Sequence, residues 1–163
     1  MTSENKTILL VEKSEEDQVS RNMVIWANTC PFLPDDLSGD VSINFEYLVA
    51  DVPCMALSTI QSTAITKRYI LGGYQAEYQF KIIYRIKPGK SIDKRLKADE
   101  LLDRFGDWAR TQRPHIGDNM RVIRIDASTR SSLFAVYENG DEDHQILLKM
   151  TYEVNETTNQ WFI

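Results

Sequence analysis

The sequence predicts an α+β domain, a mainly antiparallel, twisted β-sheet with two helices packed on one face. Three observations lead there. Residues 41–49, 75–87 and 145–154 alternate between apolar and polar side chains, the period of half-buried strands. Two other stretches carry apolar residues at helical spacing. The order is helix, strands, helix, strands, without repeated βα alternation, which favours an antiparallel sheet with segregated helices. The polar outward faces agree, because a parallel sheet covered on both sides would show continuous apolar strands.

The first helix is expected to be capped by Ser14, with Glu15, Glu16 and Asp17 in a first turn where the helix dipole favours anions. Val19, Met23 and Trp26 form its apolar stripe. It must stop before Pro31, since proline biases its predecessor out of the α region. Residues 31–40 hold two prolines and Gly39 and read as a loop. Residues 41–49 follow as a strand, with Val41, Ile43, Phe45, Tyr47 and Val49 on one face. After Asp51-Val52-Pro53, residues 54–58 read as a weaker extended segment at an edge or in a covered loop.

Residues 64–71 form a further strand candidate, closed by the permissive Gly72-Gly73 turn. Residues 75–87 then form one long strand. Ala76, Tyr78, Phe80, Ile82, Tyr84 and Ile86 point one way; Gln75, Glu77, Gln79, Lys81, Arg85 and Lys87 point the other. Such a strand runs about 43 Å at roughly 3.3 Å per residue, far beyond the common length of about five or six residues. Pro88-Gly89 ends it. Ser91 caps a helix reaching about residue 111, with Ala98, Leu101, Leu102, Phe105, Trp108 and Ala109 as its buried stripe. Residues 120–128 and 132–137 are strands. Asn139-Gly140 signals a turn, and Asp141, Glu142 and Asp143 make it an acidic, solvated tip. Residues 145–154 close the sheet with Ile146, Leu148, Met150, Tyr152 and Val154 inward. The domain therefore spans residues 14–154, with an N-terminal extension 1–13 and a C-terminal tail 155–163 that ends on Trp161-Phe162-Ile163.

The 163 residues suit one domain with a real core. Net charge is −5, which argues against a general binder of nucleic acid or anionic membrane. Residues 1–12 lack the basic lead of a signal peptide, and no apolar run approaches the roughly 20 residues that span a bilayer. Cys30 and Cys54 read as buried thiols in an unexported chain.

Active-site signatures fail in turn. Gly72-Gly73 lacks the lysine and helix start of a phosphate loop. His115 and His144 are far apart, and His115-Ile116-Gly117-Asp118 reads as a loop histidine near a turn aspartate. The two cysteines fall short of a zinc ligand set. Asp141, Glu142 and Asp143 lack the spaced oxygens of a calcium loop. The aromatic residues sit at core periodicity rather than on a base-stacking platform. The basic stretch with Lys87, Lys90, Lys94, Arg95 and Lys97 is either a contact for DNA or an acidic partner, or a solvated helix start. No catalytic residue, cofactor or metal is expected, and the chain reads as a scaffold or interaction domain rather than an enzyme.

The run from Ile65 to Tyr74, Ile-Thr-Lys-Arg-Tyr-Ile-Leu-Gly-Gly-Tyr, leads into Ala76-Glu77-Tyr78-Gln79-Phe80-Lys81-Ile82-Ile83-Tyr84-Arg85. A helix ending in Phe105-Gly106-Asp107-Trp108 follows, then Leu133-Phe134 in a late strand, then an acidic turn into a Tyr152-bearing strand. Together with Pro31-Phe32-Leu33-Pro34-Asp35, this series resembles the minor capsid or tail-terminator proteins of long-tailed bacteriophages and prophages. It departs from their pattern at Leu71-Gly72-Gly73, where relatives often carry Asp-Gly-Ser. The resemblance covers residues 26–154.

The resemblance implies a virion protein at the head–tail junction, made in the host cytoplasm. Its expected partners are further copies in a ring, typically a hexamer, the tail tube and the head–tail connector. DNA would pass through the lumen without specific binding, and no membrane is involved. Arg68, Tyr69, Tyr74, Gln75, Glu77, Gln79, Lys81, Lys87 and Lys90 are the candidate subunit or tube interface. The alternatives are another head–tail joining or completion protein, or a small cytoplasmic ligand-binding domain or enzyme.

Overall fold

The computed structural model of the chain describes residues 8–48 and 51–156. Among them eight strands form one sheet and two helices lie on one of its faces, an α+β arrangement. The strands are β1 (Leu9–Leu10), β2 (Ile43–Phe45), β3 (Cys54–Thr59), β4 (Ala64–Arg68), β5 (Tyr74–Ile86), β6 (Met120–Ala127), β7 (Ser132–Val136) and β8 (Glu142–Val154). The helices are α1 (Lys13–Ala27) and α2 (Ile92–Arg110).

The architecture rests on β5 and β8, each 13 residues long and paired antiparallel from Tyr74↔Val154 to Ile86↔Glu142. Each has its outer edge shared by two shorter strands. β4 takes the first part of β5 and β3 the second. β6 takes the last part of β8 and β7 the first. β1 flanks β4, and β2 flanks β3 as the parallel pair of the sheet. The sheet is thus two rows of five strands that share their middle pair.

The core follows from the alternation. Ala76, Tyr78, Phe80 and Ile82 of β5 face Tyr152, Met150, Leu148 and Ile146 of β8 in register, and all are buried. The helices close this face. Trp26 of α1 stacks on Trp108 of α2 with centroids 5.1 Å apart and meets Phe80 edge-on at 6.3 Å. Ser91 caps α2 as expected, its Oγ accepting from Lys94 N at 3.1 Å. Gly106 lets α2 close onto β8, since a Cβ there would stand 2.8 Å from Ile146 Cδ1.

Four local expectations change. α1 begins at Lys13, and Glu12 rather than Ser14 holds the cap position. The first turn closes earlier than Ser14 would set it, with Glu16 N donating to Glu12 O at 3.1 Å. The strand expected over 41–49 shortens to Ile43–Phe45, and Val49 lies outside the described residues. Glu46 adopts φ +70°, which turns the chain away; Ile43 is buried, while Val41, Phe45 and Tyr47 are exposed. Cys54–Thr59 is an interior strand, not an edge. Met55 and Leu57 fill the core while Cys54, Ala56 and Ser58 lie on the other face, all five buried. Finally, β8 starts at Glu142, inside what reads from sequence as an acidic turn.

Candidate functional site

The face of the sheet away from the helices carries the outward residues of β5. Gln75, Glu77, Gln79, Lys81 and Arg85 are half-buried there, because neighbouring strands flank each of them. Their charges are matched across the sheet. Lys149 Nζ lies 3.7 Å from Glu77. Arg85 donates through Nε and Nη2 to both oxygens of Asp143 at 2.6 and 2.8 Å, and Tyr137 donates its hydroxyl to Asp143 at 2.7 Å. The Arg85 guanidinium also lies 4.6 Å over the Tyr137 ring. Lys81 Nζ sits 5.0 Å over Phe134.

The other expected interface residues disperse around this face. Tyr69 donates its hydroxyl to Glu153 at 3.0 Å, and Glu153 also pairs with Arg121. The Arg68 guanidinium lies 5.7 Å over the Tyr74 ring. Tyr74 itself turns to the helix side. It is buried and donates to Glu15, which also accepts from Tyr152 at 2.8 Å. Burial and the Glu15 carboxylate push both phenols well above the usual tyrosine range. Lys87 lies 3.8 Å from Asp141, and Lys90 is exposed in the turn between β5 and α2.

The basic stretch borders a groove of about 360 Å³, floored by Tyr84, Ile86 and Leu101 and rimmed by Lys87, Lys94 and Lys97. Arg95 turns inward instead. It donates to both oxygens of Glu142, with contacts of 2.7 to 3.1 Å. His144 completes this cluster between sheet and α2. Its Nδ1 lies 2.8 Å from Asp99 and its Nε2 3.3 Å from Glu142, while Ser131 Oγ donates to Asp99 at 2.6 Å. The Arg95 guanidinium, with His144 beside it, holds the Glu142 carboxyl below the usual carboxylate range.

The acidic turn is therefore neither solvated nor a tip. Asp141, Glu142, Asp143 and His144 are all buried. Glu142 and His144 point to the helix side and Asp143 to the outer face, as strand alternation requires. Sequence reading missed this cluster, because the cations that bind it lie 47 and 58 residues away. No local signal marks it, because Glu142, Asp143, His144 and Gln145 are all polar and show no alternation.

The cluster ties the start of β8 to α2. Both imidazole nitrogens face carboxylates, and His144 is 2% exposed. Burial pushes both cysteine thiols up, Cys54 to about 11, which disfavours a thiolate. His115 is exposed in its loop. Among the described residues no group of three or more His, Cys, Asp or Glu side chains is placed to hold a metal ion. No described helix is long and apolar enough to cross a membrane.

The exposed apolar residues concentrate at the margins. On β7, Leu133, Phe134 and Val136 are 50%, 54% and 62% exposed. At the β4–β5 hairpin Ile70 and Leu71 stand in solvent, held by Gly72 at φ +100° and Gly73 at φ +87°. No protein-family model matches this chain, and a search of curated proteins finds no match.

Proposed function

We propose that the chain is a tail terminator, a structural protein that caps the finished tail tube as an oligomeric ring and joins it to the head connector. The observation that carries this reading is where the motifs of the resemblance lie. Phe105-Gly106-Asp107-Trp108 supplies the helix-to-sheet and helix-to-helix packing, through Gly106 against Ile146 and Trp108 on Trp26. The hairpin at Ile70-Leu71 and the Leu133-Phe134 pair instead present apolar side chains to solvent at the sheet margins. Motif residues that stand in solvent at the sheet margins thus sit where another subunit would meet them.

Two further features support the reading. The long β5–β8 pair makes a stiff central element with its outer ion pairs already matched, suited to a repeated building block. The net charge of −5 suits a wall past which DNA slides without adhering. In this reading the outer-face residues Gln75, Glu77, Gln79 and Lys81, with Lys87 and Lys90, meet the tube or a neighbouring copy. The virion location, the hexameric count and the connector partner are parts of the same proposal.

The test is reconstitution. Purified protein added to tail tubes of the same phage is expected to form rings at one tube end and to stop further tube growth. Protein that stays monomeric with tubes, together with tubes that end normally without it, would reject the proposal.

A further inference from the structure

Beside the basic stretch, charge that the fold leaves unmatched surrounds an apolar floor. Lys94, Lys97, Ala98 and Leu101 of α2 line the groove there, and their spacing puts them on one side of the helix. Tyr84 and Ile86 of β5 line it from below, on the helix side of the sheet by strand alternation. Pro34 and Pro53 complete the walls, and proline has no N–H to donate. The floor is therefore almost wholly hydrocarbon and ring surface. The Tyr84 hydroxyl makes no hydrogen bond among the described residues.

The cations around this floor fall into two groups. Arg85 and Arg95 are spent inside the fold, on Asp143 and Glu142. The lysines of the rim are not. Lys97 lies 3.1 Å from Asp93, but the two side chains are 70% and 73% exposed, and such pairs contribute little. Lys87 lies 3.8 Å from Asp141, beyond hydrogen-bond range. Lys94 has no ion pair among the described residues. Asp36 is the one acid among the residues that line the groove. A positive rim thus persists in a chain whose net charge is −5.

We infer that this groove docks an acidic linear segment of a partner protein. One large apolar side chain seats on Tyr84, Ile86 and Leu101. Carboxylates before and after it meet Lys87 on one side and Lys94 and Lys97 on the other, the charge complementarity that selects a partner. The volume of about 360 Å³ is small for a ligand pocket, which suits a single anchoring side chain rather than a folded element.

The floor argues against DNA as the occupant, because phosphate contacts draw on charge alone and leave such a surface in water. The apolar margins of this chain do not match the groove either. Lys67 and Arg68 precede the hairpin at Ile70-Leu71, and no charge occurs from Ser131 to Tyr137. The segment belongs to a different protein. The inference stands on the groove alone and takes nothing from the proposed ring.

The test selects a yeast-displayed library of random linear peptides against the full chain, then titrates an enriched peptide by fluorescence anisotropy. Enrichment of an aromatic or large aliphatic residue between Asp or Glu residues is expected. Lys94→Glu and Lys97→Glu should each weaken that peptide by about tenfold or more. Arg130→Glu makes the same change of charge on the opposite side of α2, next to Ser131, which is bound to Asp99 and Asp103; it should bind as the parent does. All three positions are exposed, so the variants should keep the parent's melting transition. Exchanging the peptide's apolar residue for Ser, which leaves the chain untouched, should also cost about tenfold. Enrichment without acidic residues, equal binding to both groove variants, or full competition by duplex DNA overturns the inference. Self-association of the chain that Lys94→Glu abolishes would assign the groove to a second copy and overturn it too. Binding of the expected peptide, beside tubes that gain no rings, would support the inference while rejecting the ring.

Discussion

Replacing Arg85 with Met removes a guanidinium from two oxygens of Asp143 while keeping most of the apolar stem over the Tyr137 ring. Asp143 is 4% exposed in its side chain, and Arg85 25%. The variant leaves a buried carboxylate with Tyr137 as its remaining side-chain donor, at 2.7 Å. Removing one partner of a buried ion pair costs about 3–5 kcal/mol. The retained tyrosine and the partial exposure of Arg85 place the expected loss at the low end, about 3 kcal/mol. In a domain of this size that lowers Tm by about 6–12 °C, at roughly 2–4 °C per kcal/mol. Adding Asp143→Asn removes the orphaned charge and should recover most of the loss, since neutralising both partners is often nearly neutral. Urea unfolding at pH 7, followed by circular dichroism, measures all four corners of this cycle. A loss below about 1 kcal/mol for Arg85→Met, or strictly additive single effects, would refute the view of Asp143 as a buried, paired charge.

Three further outcomes follow from the same geometry. Phe80→Ala, at a fully buried ring, should cost about 3–5 kcal/mol, whereas Gln79→Ala on the outer face should stay within about 0.5 kcal/mol; equal losses in urea titrations would contradict the division of β5 into two faces. Gly73→Ala should destabilise far more than Gly140→Ala in thermal melts. Both have positive φ, but a Cβ at Gly73 would stand 2.4 Å from Val154 O and one at Gly140 meets nothing within 4 Å. Glu142 has its folded pKa depressed, so its contribution is complete above the ordinary carboxylate value of 4.5 and is lost as pH falls through the lower folded value. Urea midpoints from pH 7 to 3 should therefore drop below about pH 4.5, less steeply in Arg95→Met, which lacks the cation that causes the shift. An unchanged pH slope in that variant would contradict this assignment.

How legible the fold was depended on how local each signal is. The long strand and α2 could be read within one or two residues, because an alternation broken only at Ile83 and a capped apolar stripe are carried by neighbouring residues alone. β3 reads from sequence as an extended segment at an edge or in a covered loop, because Cys54, Ala56 and Ser58 give no polar–apolar alternation. Their burial depends on Arg85, Ile83 and Lys81 of the partner strand. The short β2 was over-extended because alternation continues through Glu46, where the backbone turns instead. The buried acids were hidden for a different reason. Asn139-Gly140 marks a turn correctly, but whether the following acids face water is decided by Arg85 and Arg95 on β5 and α2. The margin at β7 was visible as a strand from Leu133 and Phe134, yet its unpaired side is a property of the whole sheet. Of the expected interface, Gln75, Glu77, Gln79 and Lys81 share the outer face, while Tyr74 belongs to the core.

The central claim is that this chain is a tail-end ring, and its place in the particle tests that most directly. Gold-labelled antibody against the chain, applied to intact virions and to isolated tails, is read by electron microscopy. The account predicts label at the head-proximal end of the tail, on isolated tails as well as on virions. Label that stays with the portal when tails detach, or no label on virions at all, would contradict it.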